Sequence, residues 1–220
     1  SKKQTTIAKT IAEQMDQTRE MKKSIKISII VILLVSTFIS WTNSPYPELQ
    51  SLQHAGTLFL VALLILDFRK NKLSIFSFSC FAGFILIHIV GATWIYSNTP
   101  YHDWFSLLEE TERNHYDRFV HFGFGLLVLP IVFELIQLSH LYVKLLLAWC
   151  LIQVFSLGYE LFEWGLAKGM VSEQDAINYN GQQGDAWDAH KDMALAMLGS
   201  IITGGIYLLK NLTKINTFCE

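Results

Sequence analysis

The sequence predicts an all-α fold: a polytopic membrane bundle of about six transmembrane helices with both termini cytoplasmic. Three observations predict it. Six apolar runs approach or exceed the roughly 20 residues that a spanning helix needs. The composition agrees, with 51% hydrophobic residues, 16% charged residues and a mean hydropathy of +0.32, too oily for a soluble domain of 220 residues. Lastly, loops rich in Lys and Arg alternate with loops poor in them along the whole chain.

Residues 1–24 precede the first run. Within Thr5–Lys22, Ile7, Ile11 and Met15 recur at i, i+4 spacing among Lys, Glu and Gln. That pattern fits an amphipathic helix at the cytoplasmic membrane surface, or equally a solvated helical tail. The runs themselves are Ile25–Trp41, with Lys26 at its inner end, then Gln53–Phe68, the shortest, Leu73–Tyr96, Asp117–Leu138, Tyr142–Ala167 and Asp188–Leu209. Together they make a membrane domain of residues 25–210, followed by a cytoplasmic tail, 211–220. The first run lacks a small-residue cleavage site and leads into Thr42-Asn43-Ser44-Pro45, so it reads as a span and not as a signal peptide.

Orientation follows from the bases. Lys2, Lys3, Lys9, Arg19, Lys22, Lys23 and Lys26 lie before or at the start of the first span, and Arg69, Lys70 and Lys72 follow the second. Lys144 follows the fourth, and Lys210 and Lys214 end the sixth. Thr42–Ser51 has no base, Ser97–Tyr116 has only Arg113, and the stretch before the sixth span has mainly Lys168. The positive-inside rule puts the basic loops in the cytoplasm. A net charge of −2 argues against a nucleic-acid partner and leaves the lipid bilayer as the evident one. Cys80, Cys150 and Cys219 lack metal-like spacing, and the first two read as apolar filler inside spans.

The informative residues are the ionisable ones inside the spans. Each costs roughly 2.5–3.5 kcal/mol at a bilayer centre, so such groups usually face a protein interior or water. Asp117 and His121 open the fourth span, Glu160 and Glu163 fall in the last two turns of the fifth, and Asp188 and Asp192 open the sixth. His88 lies about eight residues from the outer end of the third, roughly 12 Å deep at 1.5 Å per residue. Four helices thus offer ligands at one height in the outer leaflet.

Facing agrees with depth. Asp117, His121 and Gly125 share one stripe; Ser156, Glu160, Glu163 and Ala167 a second; Asp185, Asp188, Asp192, Ala196 and Gly199 a third. Acids pass into small residues, the pattern of a polar pocket above a tight helix seam. His190 lies about 200° from Asp188 and Asp192 and points elsewhere.

Three motifs carry a family resemblance: Tyr-Asp-Arg-Phe-Val-His-Phe-Gly-Phe-Gly (116–125), Tyr-Glu-Leu-Phe-Glu-Trp (159–164) and Gln-Gly-Asp-Ala-Trp-Asp-Ala-His-Lys-Asp-Met (183–193). They resemble signatures of the YjdF-type bacterial inner-membrane proteins, as do His88-Ile-Val-Gly91, Tyr96 and Pro100, over roughly Ile25–Leu209. The resemblance implies a multi-pass protein of a bacterial inner membrane and supplies no reaction. A more distant likeness extends to VanZ-like proteins, which are associated with glycopeptide resistance; Asp192 stands where their pattern has Asn.

The chemistry is read from the residues. Asp117, Glu160, Glu163, Asp188 and Asp192 bring five negative charges to one place, and like charges oppose each other's ionisation. The remedies are protons, the cations Arg118 and Lys191, or a metal. Either cation is placed to snorkel to the interface instead. A divalent cation is the simplest remedy. Carboxylates favour Mg²⁺ or Mn²⁺, and His121 and His88 shift the preference toward Mn²⁺, Fe²⁺ or Zn²⁺. The expected metal ligands are therefore His121, Glu160, Glu163, Asp188, Asp192 and His88, and the expected catalytic set is Asp117, His121, Glu160, Glu163, Asp188 and Asp192.

Beside an apolar leaflet, such a site suits a hydrolase or transferase of a lipid or lipid-linked small molecule. A divalent-cation or proton-coupled transporter is the alternative, although the inner half offers only Asp67, Glu134 and Gln137. A purely structural cluster is the third reading, with Asp117, Asp185 and Asp188 serving as helix caps or dipole partners. Residues 101–108 and 178–184, with Trp164 and Trp187 in an aromatic belt, are expected to roof the site.

Overall fold

A computed structural model describes residues 2–100, 113–169 and 183–217. Among the described residues the regular structure is helical and includes six helices long and apolar enough to span a membrane. They are α1 (Lys2–Asn43), α2 (Gln50–Lys70), α3 (Ile75–Thr93), α4 (Tyr116–Leu135), α5 (Leu141–Gly169) and α6 (Asp188–Thr217). A short 3₁₀ turn, Pro47–Leu49, leads into α2. The N-terminal segment is helical and continuous with the first span, so α1 is a single helix of 42 residues.

Several boundaries depart from the apolar runs for local reasons. α3 begins only after Ser74, whose side chain accepts from the Ser77 amide at 3.2 Å as an N-cap. It ends at Thr93, because Ile95 and Tyr96 take left-handed φ values of 48° and 55°. That conformation is rare for any residue with a side chain and rarer for β-branched Ile95. α2 ends where Asn71 adopts φ 48°, a residue type that tolerates the left-handed cap.

Hydrogen bonds between helices sort their ends. At one end Lys26 (α1) donates to Asp67 Oδ2 (α2) at 2.9 Å, Asn71 Oδ1 at 3.1 Å and the Leu73 carbonyl at 2.8 Å. Lys26 is 2% exposed, so the base read as an inner-end charge is in fact sealed under the α2–α3 turn. At the same end Glu134 (α4) accepts from the amide and hydroxyl of Ser74 at 2.8 and 2.9 Å. At the opposite end Ser40 bonds His54 and Thr93, and Arg113 bonds Asp188.

Between the two ends lies an apolar core that includes Leu33, Leu64, Phe78, Ile85 and Leu129. α4 and α6 form the closest seam, and the glycine stripes explain it. A Cβ on Gly125 would collide with the Ala196 carbonyl, and one on Gly199 with the Phe122 carbonyl. Only glycine lets the two backbones approach so closely, which is the small-residue rule of membrane packing.

Candidate functional site

The site forms where α4 and α6 begin and α5 ends. A lock sets the start of α4. Asn114 bonds Thr99 twice, its side-chain amide donating to the carbonyl and its Oδ1 accepting from the hydroxyl, both at 3.0 Å. The Asn114 backbone N–H donates to Gln183 Oε1 at 2.8 Å, and Gln183 Nε2 returns a bond to the Asn114 backbone carbonyl at 2.9 Å. This holds residues 113–116 rigidly against the approach to α6.

The lock brings in a residue that the sequence offered only as a loop base. Arg113 is buried and pairs with Asp188. Arg118 is buried too, bonding Asp185 and lying 3.7 Å from Asp188, with His115 Nδ1 accepting at 3.0 Å. It does not snorkel, because Asp185, Asp188 and His115 give its charge better partners inside. Lys191 is exposed, and it donates to Asp185 Oδ2 at 2.8 Å. That bond, first among several, holds the Asp185 carboxyl down at about 2. His190 is exposed and meets the Trp187 ring edge-on, away from the seam.

With Asp185 and Asp188 paired to cations, the remaining acids gather around one imidazole. Asp117, His121 and Asp192, all buried, offer ligand atoms within 4.8 Å of one another. His121 Nε2 is 3.7 Å from Asp117 Oδ1 and 3.3 Å from Glu160 Oε1. Glu163, one turn beyond Glu160, is half-buried and close enough to feel Asp117, Glu160 and Asp192 electrostatically. Asp192 is 2% exposed, and its Oδ1 has no hydrogen-bond donor among the described residues. A buried carboxylate oxygen without a donor is costly, and such exceptions call for a compensating partner. Ligands bonded to one ion at roughly 2.0–2.6 Å lie within about twice that of each other, a span this trio meets.

His88 stands apart from the trio. Its Nδ1 bonds the Tyr96 hydroxyl and its Nε2 lies 2.9 Å from Thr57 Oγ1. The bond chain continues from Thr57 to His54 Nδ1 at 3.1 Å, from His54 Nε2 to Ser40 at 3.0 Å, and from Ser40 to Thr93 at 2.6 Å. Both ring nitrogens of each histidine are engaged. Ser40, His54 and Thr57 were absent from the expected site; His54 falls in the shortest apolar run, where a lone histidine gives no pattern.

A cavity of about 510 Å³ joins the two clusters. Asp117, His121, His88 and Tyr96 form its polar end, and Phe84, Phe124 and Val128 continue it into the core. α2 and α5 flank it without packing closely on each other, and Phe59 and Phe155 stand exposed at its rim. The expected roof, 101–108 and 178–184, lies outside the described residues except for Gln183 and Gly184, which are exposed.

Comparison with known proteins agrees with this architecture. No solved structure matches the chain. The inner membrane protein YjdF of Escherichia coli (strain K12) is 32% identical over 155 residues, covering 66% of this chain and 71% of that protein. Residues 25–211 match the family described as "Predicted membrane protein (DUF2238)", a stretch that takes in all six spans but for the first turns of α1 and the end of α6, and the chain belongs to that family.

Proposed function

We propose that this protein is a metal-dependent hydrolase or transferase acting on a lipid or lipid-linked substrate at the outer leaflet. Asp117, His121 and Asp192 hold one divalent cation of the Mn²⁺, Mg²⁺, Zn²⁺ or Fe²⁺ class, with Glu160 completing the set. The observation that carries this reading is the buried Oδ1 of Asp192, without a donor among the described residues, beside the Asp117 and His121 that form the polar end of an otherwise oily cavity. Such an ion supplies a water of lowered pKa and polarises a phosphoryl or acyl oxygen. Glu163, one turn beyond Glu160, would be the group to take and return a proton there. Asp188 and His88, whose partners are already in place, act as positioning residues: Asp188 fixes Arg113 and Arg118, and His88 fixes Tyr96.

Placement in the outer leaflet rests on the basic loops lying in the cytoplasm. A carrier would need polar groups leading to the other side. Asp67 and Glu134 are instead engaged in structural bonds to Lys26 and Ser74, and the apolar core lies between them and the site. Uptake of radioactive Mn²⁺ or Zn²⁺ into proteoliposomes would restore the carrier reading.

Metal analysis of detergent-purified protein tests the proposal. One divalent ion per chain is expected, with loss in Asp192→Asn and weakened retention in Glu163→Gln, both with unchanged circular dichroism. Wild-type protein that takes up no divalent ion on titration, and a Glu163→Gln variant that is more stable, would together leave the acids as a structural cluster.

A further inference from the structure

The cavity between α2 and α5 has a second property that the metal-site reading does not use, namely its direction. On α2 its wall runs from Gln53 to Leu63, about 15 Å at a rise of 1.5 Å per residue. That is about half of a hydrocarbon core roughly 30 Å thick, the depth of one leaflet. On α4 the wall passes from Asp117 and His121 to Val128, and so changes from polar to apolar along the membrane normal just as a lipid does. The side between Phe59 and Phe155 is continuous with surface that faces the bilayer, because both rings are more than half exposed on spanning helices.

Water is a poor occupant of such a space, since an apolar cavity offers it no partners beyond one end. The surrounding solvent at that depth is acyl chain. We infer that the groove is a lateral entry site for one acyl chain of a bilayer phospholipid, which places the chain's ester or phosphoryl end against Asp117 and His121. This deepens the proposed hydrolase or transferase by naming its substrate class and rests on that reading for what happens to the head group. The chain site itself stands on shape and polarity alone.

Gly56 gives the test. It lines the groove, and a Cβ there would meet nothing nearer than His88 Nε2 at 4.0 Å, so a side chain can start from this position without its Cβ striking backbone. Gly158 on α5 has nothing within 4 Å and serves as the control. The probe is a phosphatidylglycerol with a diazirine in one acyl chain, presented to full-length protein in nanodiscs and mapped by mass spectrometry. Photolabelling should concentrate on peptides containing Phe59 and Phe155. It should fall by about tenfold in Gly56→Trp and measurably in the milder Gly56→Leu, the loss of a few buried methylenes, but not in Gly158→Trp. Label spread evenly around the bundle, or undiminished by both Gly56 variants when each is folded, overturns the chain site. Preferential labelling by a diazirine polyprenyl phosphate over the acyl probe overturns the choice of a phospholipid chain. Metal content measured on the same samples separates the two ideas, since a failed chain site with a retained ion leaves the proposed metal chemistry intact, and the reverse result sinks only that chemistry.

Discussion

Thr203 donates to the carbonyl that Pro130 leaves without a helix partner. Pro130 lies inside α4 and has no N–H, so the Leu126 carbonyl loses its normal acceptor role within the helix. The Thr203 hydroxyl of α6 reaches it at 2.8 Å. In a bilayer no water replaces such a bond, and a neighbouring side chain must. Thr203→Val is therefore expected to destabilise the protein by about 1–3 kcal/mol, the usual cost of orphaning a buried acceptor. In a Pro130→Ala background the helix supplies its own donor, and the same change should matter far less. Reversible unfolding in mixed micelles measures both, and equal losses in the two backgrounds would show that the hydroxyl is not the carbonyl's partner.

The glycine seam makes a second prediction. Gly125→Ala places a methyl group into the Ala196 carbonyl, so α4 and α6 must separate. Overpacking of this kind typically costs about 1–3 kcal/mol. Gly158→Ala adds a methyl group to open space and should be silent. If the two variants melt together, the α4–α6 approach is looser than described.

Lys26 is the third test case. It is an ammonium sealed beneath a turn, with Asp67, Asn71 and Leu73 as acceptors. Removing one partner of a buried pair strands the other, at about 3–5 kcal/mol. Lys26→Met should therefore fall near that range, while combining it with Asp67→Asn should recover part of it. Full additivity of the two single losses in that double variant would rule out a coupled pair.

The orientation of the bundle is open to direct chemistry. In a background without Cys80, Cys150 and Cys219, a cysteine at the exposed Asn98 should react with an impermeant maleimide added to intact cells. One at Asn71, in the basic α2–α3 turn, should react only after the membrane is opened. Labelling of Asn71→Cys from outside would invert the bundle and move the site to the inner leaflet.

Much of this was legible because bilayers impose strong rules. The six spans, the facing of Asp117, His121 and Asp192, and the Gly125–Gly199 seam all follow from period and length. Arg113 was not legible, because it sits in a connecting segment where no period says which way a side chain points. Only its hydrogen-bonded neighbour Asn114, tied to Thr99 and Gln183, turns it inward. The His88-x-x-Gly91 element acquires a reason only in three dimensions. The chain turns back through Ile95 and Tyr96 and lays the Tyr96 ring on Gly91, where a Cβ would lie 2.7 Å from Cε1. That fold-back is what sets the phenol on His88.

Arg113 changes what Asp188 is expected to do. By sequence alone Asp188 reads as a metal ligand; in the fold its carboxylate is engaged by Arg113 and lies near Arg118. Asp192, one turn further along α6, has an oxygen with no donor among the described residues and sits with Asp117 and His121. The two acids should therefore respond differently to the same isosteric change. Asp192→Asn should lower divalent-ion affinity by tenfold or more, about 1.4 kcal/mol, because it removes a charge from the ion's contact set. Asp188→Asn should leave that affinity within a few fold and instead lower stability, since it removes the carboxylate that faces two buried guanidinium groups. Arg113→Gln should also lower stability, and adding it to Asp188→Asn should cost less than the two single losses combined, because the pair acts as one unit. Isothermal titration with Mn²⁺ beside micellar unfolding reads both properties on the same preparations. Equal loss of metal affinity in Asp188→Asn and Asp192→Asn would return Asp188 to the ligand set and make Arg113 its counter-ion only when the ion is absent.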